Sequence, residues 1–287
     1  MIIGHKKQIQ FLKKSAEANR LAHAYLFSGP EKVGKKAVAF EFASLLFKEA
    51  LGKKAHPDLI LVEPDLESRE IKIDQIRDLI WKLSLKPYSA PLKVAIIDQA
   101  QAMNQESQNC FLKTLEEPKK DTLLILITEY SGSLLPTIIS RCQIINFQPL
   151  SQKEIEKLLL EKGVELKIAK EISLISLGRP GRAIDFMDSR KLDDFKENIQ
   201  KAESLARSDF ASRFQYAKEI SQKDNLKEIL AAWLFYFRNI LLEKCSSLSP
   251  DVGRYLNILK RIQETNSLIS NTNVNSRLAL EILMLEL

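Results

Sequence analysis

The run Gly29-Pro30-Glu31-Lys32-Val33-Gly34-Lys35 constrains this chain more than any other feature, because of where it stands. It follows a short buried-strand pattern, Ala24-Tyr25-Leu26-Phe27. It opens a helical pattern, Gly34 to Lys48, with Val38, Phe42, Leu45 and Leu46 on one face. Strand, Gly-x-x-x-x-Gly-Lys, helix is the context in which this spacing makes a phosphate-binding loop: the glycines let backbone N–H groups turn inward, and the helix N-terminus adds positive potential. Gly29, Gly34 and Lys35 are therefore candidate nucleotide-site residues, with Lys35 expected to reach the outer phosphates. The next position should be Ser or Thr, whose hydroxyl ligates Mg²⁺, but it is Lys36. An ammonium cannot coordinate a cation and repels one.

More strand and helix patterns follow. Asp58–Val62, Val94–Asp98, Thr122–Thr128 and Gln143–Phe147 are continuous apolar runs, the signature of a sheet covered on both faces. Between them lie helical patterns with Ile76, Leu79, Ile80 and Leu83 (Asp74 as expected cap) and with Leu112 and Leu115, starting at Asn104 and stopping before Pro118. The economical fold is an α/β parallel sheet with right-handed crossovers and its chemistry at the carboxyl ends of the strands. After Pro149 the strand signal stops. Ser151-Gln152-Lys153-Glu154 is a capping box, and Gly178-Arg179-Pro180-Gly181 punctuates a small helical region. The last third is helical, with a broad stripe of Leu226, Ile229, Leu230, Trp233, Leu234, Phe237, Ile240 and Leu241 that reads as a bundle core, an oligomer interface using the bundle's outer face being the alternative. The expected domains are a core at 1–149, a small helical domain at 150–191 and a further helical domain at 192–287.

Two further motifs carry chemistry. Val94-Ala95-Ile96-Ile97-Asp98-Gln99 is a Walker B strand in which Asp98 would hold Mg²⁺ through water, but Gln99 stands where an acid should polarise the attacking water. Losing a general base costs about 10²–10⁴ in rate. After the fourth strand, Leu134 to Cys142 contains Ser140-Arg141-Cys142, placed to project Arg141 as an arginine finger toward a neighbouring protomer's γ-phosphate. The chain is short of side chains for its own hydrolysis and equipped to complete another's.

Charge and cysteines narrow the classes. Residues 1–54 hold 11 Lys/Arg against 4 Asp/Glu, a net +7 against −1 for the remainder, and that positive charge could face phosphate or simply solvent. Cys110, Cys142 and Cys245 stand far apart, and Phe47 to Ala55 contains no cysteine, so neither a disulfide framework nor zinc is expected. No run is apolar enough to cross a bilayer, and the amino terminus has no secretory pattern, so a cytoplasmic location is expected.

In order, His23–Pro30, His56-Pro57-Asp58, Ile97–Ala100, Leu115-Glu116-Glu117-Pro118, Leu135-Pro136-Thr137 and Ser140-Arg141-Cys142 resemble the bacterial clamp-loader branch of the AAA+ superfamily, and Asn273–Glu281 resembles its last collar helix. The resemblance implies a RecA-like core, a three-helix lid and a collar that closes five subunits into a ring, with gamma/tau-like ATPase subunits and a delta-like subunit as partners. Such a ring opens the sliding clamp and loads it on primed DNA. It also implies a stator role in which Arg141 acts in trans, Thr128 stands at the sensor-1 position and Arg182 at the lid's sensor-2 position. Glu129-Tyr130-Ser131-Gly132 departs from the family pattern after Thr128. At most weak binding of ATP or ADP is expected. A working gamma/tau-like ATPase is the competing reading, and a free-standing DNA-binding protein the third.

Overall fold

The computed structural model describes residues 3–49, 56–223, 225–247, 249–271 and 274–287. It divides into two compact units, Met1–Ile184 and Asp185–Leu287.

In the first unit the strands β1 (Ala24–Ser28), β2 (Leu59–Val62), β3 (Lys93–Ile97), β4 (Thr122–Thr128) and β5 (Gln143–Asn146) form one sheet in the order β2-β3-β4-β1-β5. Every pairing is parallel, the arrangement expected from the unbroken apolar runs. Alternate strand residues point to opposite faces. Tyr25, Phe27, Val94, Ile96, Ile125 and Ile127 pack under α1 (Lys6–Glu17) and α2 (Lys35–Phe47). Leu26, Ile60, Ala95, Ile97, Leu124 and Leu126 pack under α3 (Ile73–Ser84) and α4 (Gln105–Glu116). Tyr25, Phe27 and Phe111 are fully buried, each contributing about 1.5–3 kcal/mol of transfer free energy before entropy is counted. The short α5 (Pro136–Ile139) precedes β5, and α6 (Gln152–Glu161), α7 (Leu166–Ile175) and α8 (Pro180–Asp185) follow it.

The register sets the site. Ser28 lies opposite both Thr128 and Asn146, and Ile97 opposite Leu126, so the residues after β1, β3 and β4 leave the sheet at one carboxyl edge. The His-Pro-Asp element shapes the opposite end of β2 and β3. Asp58, with no exposed surface, accepts N–H bonds from Tyr88, Ser89 and Ala90 at 2.6, 2.8 and 2.9 Å. Burial alone would raise its pKa, but these donors outweigh it and hold the carboxyl below its ordinary value.

Asp74 is not the cap of α3, as the sequence suggested. The helix starts two residues earlier, with Lys72 at the N-cap position. Gln75 accepts the Lys72 N–H at 2.9 Å and Asp74 sits in the first turn, 3.3 Å from Arg77. The helix α1 was not legible as an element. Its apolar stripe, Ile9, Leu12 and Ala16, is narrow and diluted by lysines.

The second unit is all helical: α9 (Ser189–Ala206), α10 (Phe210–Ile220), α11 (Leu226–Ser246), α12 (Val252–Asn271) and α13 (Ser276–Glu286). Leu226, Ile229, Leu230, Trp233 and Phe237 of the expected stripe are buried with Phe195, Ile258, Ile262 and Leu280. Asn275 caps α13 by accepting the N–H groups of Arg277 and Leu278. Asn273, part of the collar resemblance, lies outside the described residues, as do residues 50–55 of the cysteine-free bridge. Arg213, 8% exposed, donates to the carbonyls of Leu205, Ala206 and Met284 at the ends of α9 and α13. A helix pattern alone gives no hint of this, since arginine in a helix ordinarily marks its wet face.

Candidate functional site

At the carboxyl edge of the sheet lies a cavity of about 250 Å³, lined by Glu31, Lys32, Gly34, Lys35, Lys36, Asp98, Gln99, Gln101, Ile127, Thr128, Glu129 and Gly181. Most of the sequence-derived site residues meet here. Gly29 is not among the lining residues. Arg182 is not in the lining, although its neighbour Gly181 is and donates its N–H to the Lys32 carbonyl at 2.9 Å. The loop needs its first glycine twice over: φ is +152°, and a Cβ would stand 2.2 Å from the Phe147 carbonyl oxygen.

Lys35 is 6% exposed, and its ammonium donates back to the carbonyls of Gly29 (2.5 Å) and Pro30 (2.7 Å). Burial pushes its pKa down to about 8. The group that should meet phosphate is thus held by its own loop.

Lys36 decides the character of the cleft. Its ammonium lies 3.0 Å from Asp98 Oδ2 and 2.5 Å from Glu63 Oε1, bridging α2 to the ends of β3 and β2. Burial would lower the Lys36 pKa, but the two carboxylates outweigh it and keep the group charged. The other oxygen of Asp98 accepts the Gln99 N–H at 3.0 Å. A magnesium ion does not fit this set. The hydroxyl ligand is replaced by a cation, and the carboxylates that would hold the metal's water are neutralised by that cation. Among the described residues no three His, Cys, Asp or Glu side chains gather as a metal cluster. Thr128 Oγ1 donates to the Tyr130 carbonyl at 3.0 Å and accepts the Tyr130 N–H at 3.3 Å, so its hydroxyl is committed to the altered turn.

Arg141 follows α5 and is not among the cavity's lining residues. Its Nη1 donates to the Thr137 carbonyl at 2.9 Å and its Nη2 to Glu116 Oε1 at 2.8 Å, with a third of the side chain exposed. Beside it, Cys142 turns inward, packing against the cluster that holds Ile138. Burial pushes that thiol up to about 12. Two residues of this chemistry, Glu63 and Glu116, were not picked out from sequence. An acid directly after an apolar strand was the available clue to Glu63, and the Leu-Glu-Glu-Pro element contained Glu116 without assigning it a partner.

The family described as "DNA polymerase III, delta subunit" matches residues 4–151. The Bacillus subtilis DNA polymerase III subunit delta' is 34% identical over 212 residues, 69% of this chain and 62% of that protein. The chain belongs to the DNA polymerase III delta-prime family. The Pseudomonas aeruginosa member is 38% identical over 136 residues, 42% of each chain. The chain therefore spans less than two thirds of the length of these curated relatives. A solved Thermotoga maritima protein related to the DNA polymerase III gamma subunit has the same fold, with a TM-score of 0.51 at 19% identity over 97% of both chains. The RecA-like AAA+ core followed by helices, expected from the sequence, is thus the fold of this family member.

Proposed function

We propose that this chain is a non-hydrolysing subunit of the DNA polymerase III clamp loader, which serves as a fixed wall of the ring and lends Arg141 to the active site of a neighbouring ATPase. The observation that carries the reading is the Lys36 ammonium bridging Asp98 and Glu63. It stands where catalysis requires a metal, and Gln99 supplies no base. Arg141 supports the second half: it lies outside its own cavity's lining, anchored through both terminal nitrogens, and is partly exposed. Such a finger contributes about 10³–10⁵ in rate to the site that receives it.

On this reading residues 150–191 act as the lid and 192–287 as the collar through which the ring assembles. The partners are gamma/tau-like ATPase subunits and a delta-like subunit, with the sliding clamp and primed DNA engaged through the complex in the cytoplasm. Among the described residues no helix is long and apolar enough to cross a membrane, and no membrane role is proposed. The competing gamma/tau-like ATPase reading makes the opposite demand on Lys36 and Gln99. Steady-state ATP hydrolysis by the purified chain separates the two. We expect no turnover above a Lys35→Ala control; turnover abolished by that substitution would refute the proposal.

A further inference from the structure

The Leu-Glu-Glu-Pro and Ser-Arg-Cys elements, separate in the sequence, are one device in the fold. Glu116, the last residue of α4, reaches across 25 residues of sequence to bond Arg141. Its placement is unfavourable for the helix. A carboxylate in the last turn opposes the macrodipole, a cost of about 0.3–1 kcal/mol, and Glu117 follows it at the C-cap. Something other than helix stability accounts for that acid.

The geometry at Arg141 indicates what. An arginine side chain carries about 2 kcal/mol of rotamer entropy, so a free guanidinium samples many orientations. Here both terminal nitrogens are pinned, Nη1 by the Thr137 carbonyl and Nη2 by the Glu116 carboxylate. The neighbouring Cys142 is anchored in the apolar cluster beneath. A guanidinium has five N–H donors. Among the described residues two are used, which leaves three for a phosphate on another molecule. Two donors are fixed and the others remain available, as pre-organised stabilisation of developing charge requires.

We propose that Glu116 is the positioning residue of the finger: its carboxylate fixes the orientation in which Arg141 is offered to the adjoining ATPase. This rests on the trans role of Arg141 proposed above, and the test separates the two. The full ring is reconstituted with wild-type chain or with Glu116→Ala, Glu116→Gln, Arg141→Ala or the Glu116→Ala/Arg141→Ala double variant. DNA-stimulated ATP hydrolysis is then measured against ATP concentration.

Glu116→Ala should lower kcat about tenfold with KM for ATP within about twofold, since the neighbour's own loop binds the nucleotide. Glu116→Gln, which keeps an acceptor oxygen but not the charge, should recover part of the loss. The double variant should be no slower than Arg141→Ala, because two residues acting as one unit are not additive. Ring assembly and melting temperature of each variant exclude misfolding. A wild-type or faster rate with Glu116→Ala, beside a defective Arg141→Ala, would overturn the positioning role and leave the finger standing. So would additive losses in the double variant. An unaffected Arg141→Ala ring would remove the finger itself, and this inference with it.

Discussion

Replacing Lys36 by Thr restores the residue type that a metal-dependent phosphate loop uses, and the structure fixes what should follow. The ammonium contacts Asp98 at 3.0 Å and Glu63 at 2.5 Å. The Glu63 pair is exposed, at 41% and 50%, so it is worth well under about 1 kcal/mol after screening and side-chain entropy. Asp98 is only 14% exposed, and its bond is worth more, about 1 kcal/mol. Without the ammonium the two carboxylates also repel each other. The expected cost is about 1–2 kcal/mol, and at about 2–4 °C per kcal/mol for a unit of this size the first transition should fall by roughly 2–8 °C. Millimolar Mg²⁺ with ATP should then raise the melting temperature of Lys36→Thr, since a ligand that binds only the folded state stabilises it. The wild type should not respond. Thermal melts by circular dichroism, with and without Mg²⁺·ATP, make the comparison. Equal melting temperatures for the two proteins without nucleotide, or a wild type stabilised by Mg²⁺·ATP, would refute the reasoning that the ammonium takes the metal's place.

Three further outcomes are expected. Arg213→Met should destabilise the second unit by about 2–4 kcal/mol, because two buried carbonyls and one half-buried carbonyl at two helix ends lose a charged donor; urea unfolding measures it, and a change under about 0.5 kcal/mol would contradict the capping role. The exposed Cys245 should react with a thiol-specific disulfide reagent in mild alkali while Cys142, its thiol pushed up to about 12, stays protected until the chain unfolds; equal rates in the folded protein would be the contrary result. His5, whose Nε2 lies 2.9 Å from the Val33 carbonyl, is held below its ordinary value of 6.5 by burial. A depressed histidine contributes stability that is present above its unfolded pKa and lost as pH falls through the folded one. Stability measured downward from pH 6.5 should therefore decline more steeply in the wild type than in His5→Gln, and parallel profiles would count against the assignment.

What the sequence made legible is what local chemistry writes locally. The loop from Gly29 to Lys35 is contiguous, each apolar strand is a continuous run, and the placement of Lys36 and Gln99 follows by counting from those landmarks. What it left hidden are contacts between distant residues. The pairing of Lys36 with Glu63 spans 27 residues and that of Arg141 with Glu116 spans 25, and no periodicity encodes either. The Asp74 cap failed because Gln75 satisfies the Lys72 N–H instead, so the helix starts two residues earlier. Short α5 offers too few residues for a helical pattern, and the buried Arg213 is disguised by its charge. For the long-range pairs and for Arg213, tertiary packing, absent from any window of sequence, made the decision.

The central claim is that this subunit gives catalysis to its neighbour and performs none in its own cleft. The most direct measurement is DNA-stimulated ATP hydrolysis by rings that carry either Lys35→Ala or Arg141→Ala in this chain alone. The account predicts a near wild-type rate for the first and a loss of at least about a thousandfold at the dependent site for the second. A ring crippled by Lys35→Ala and indifferent to Arg141→Ala would contradict it.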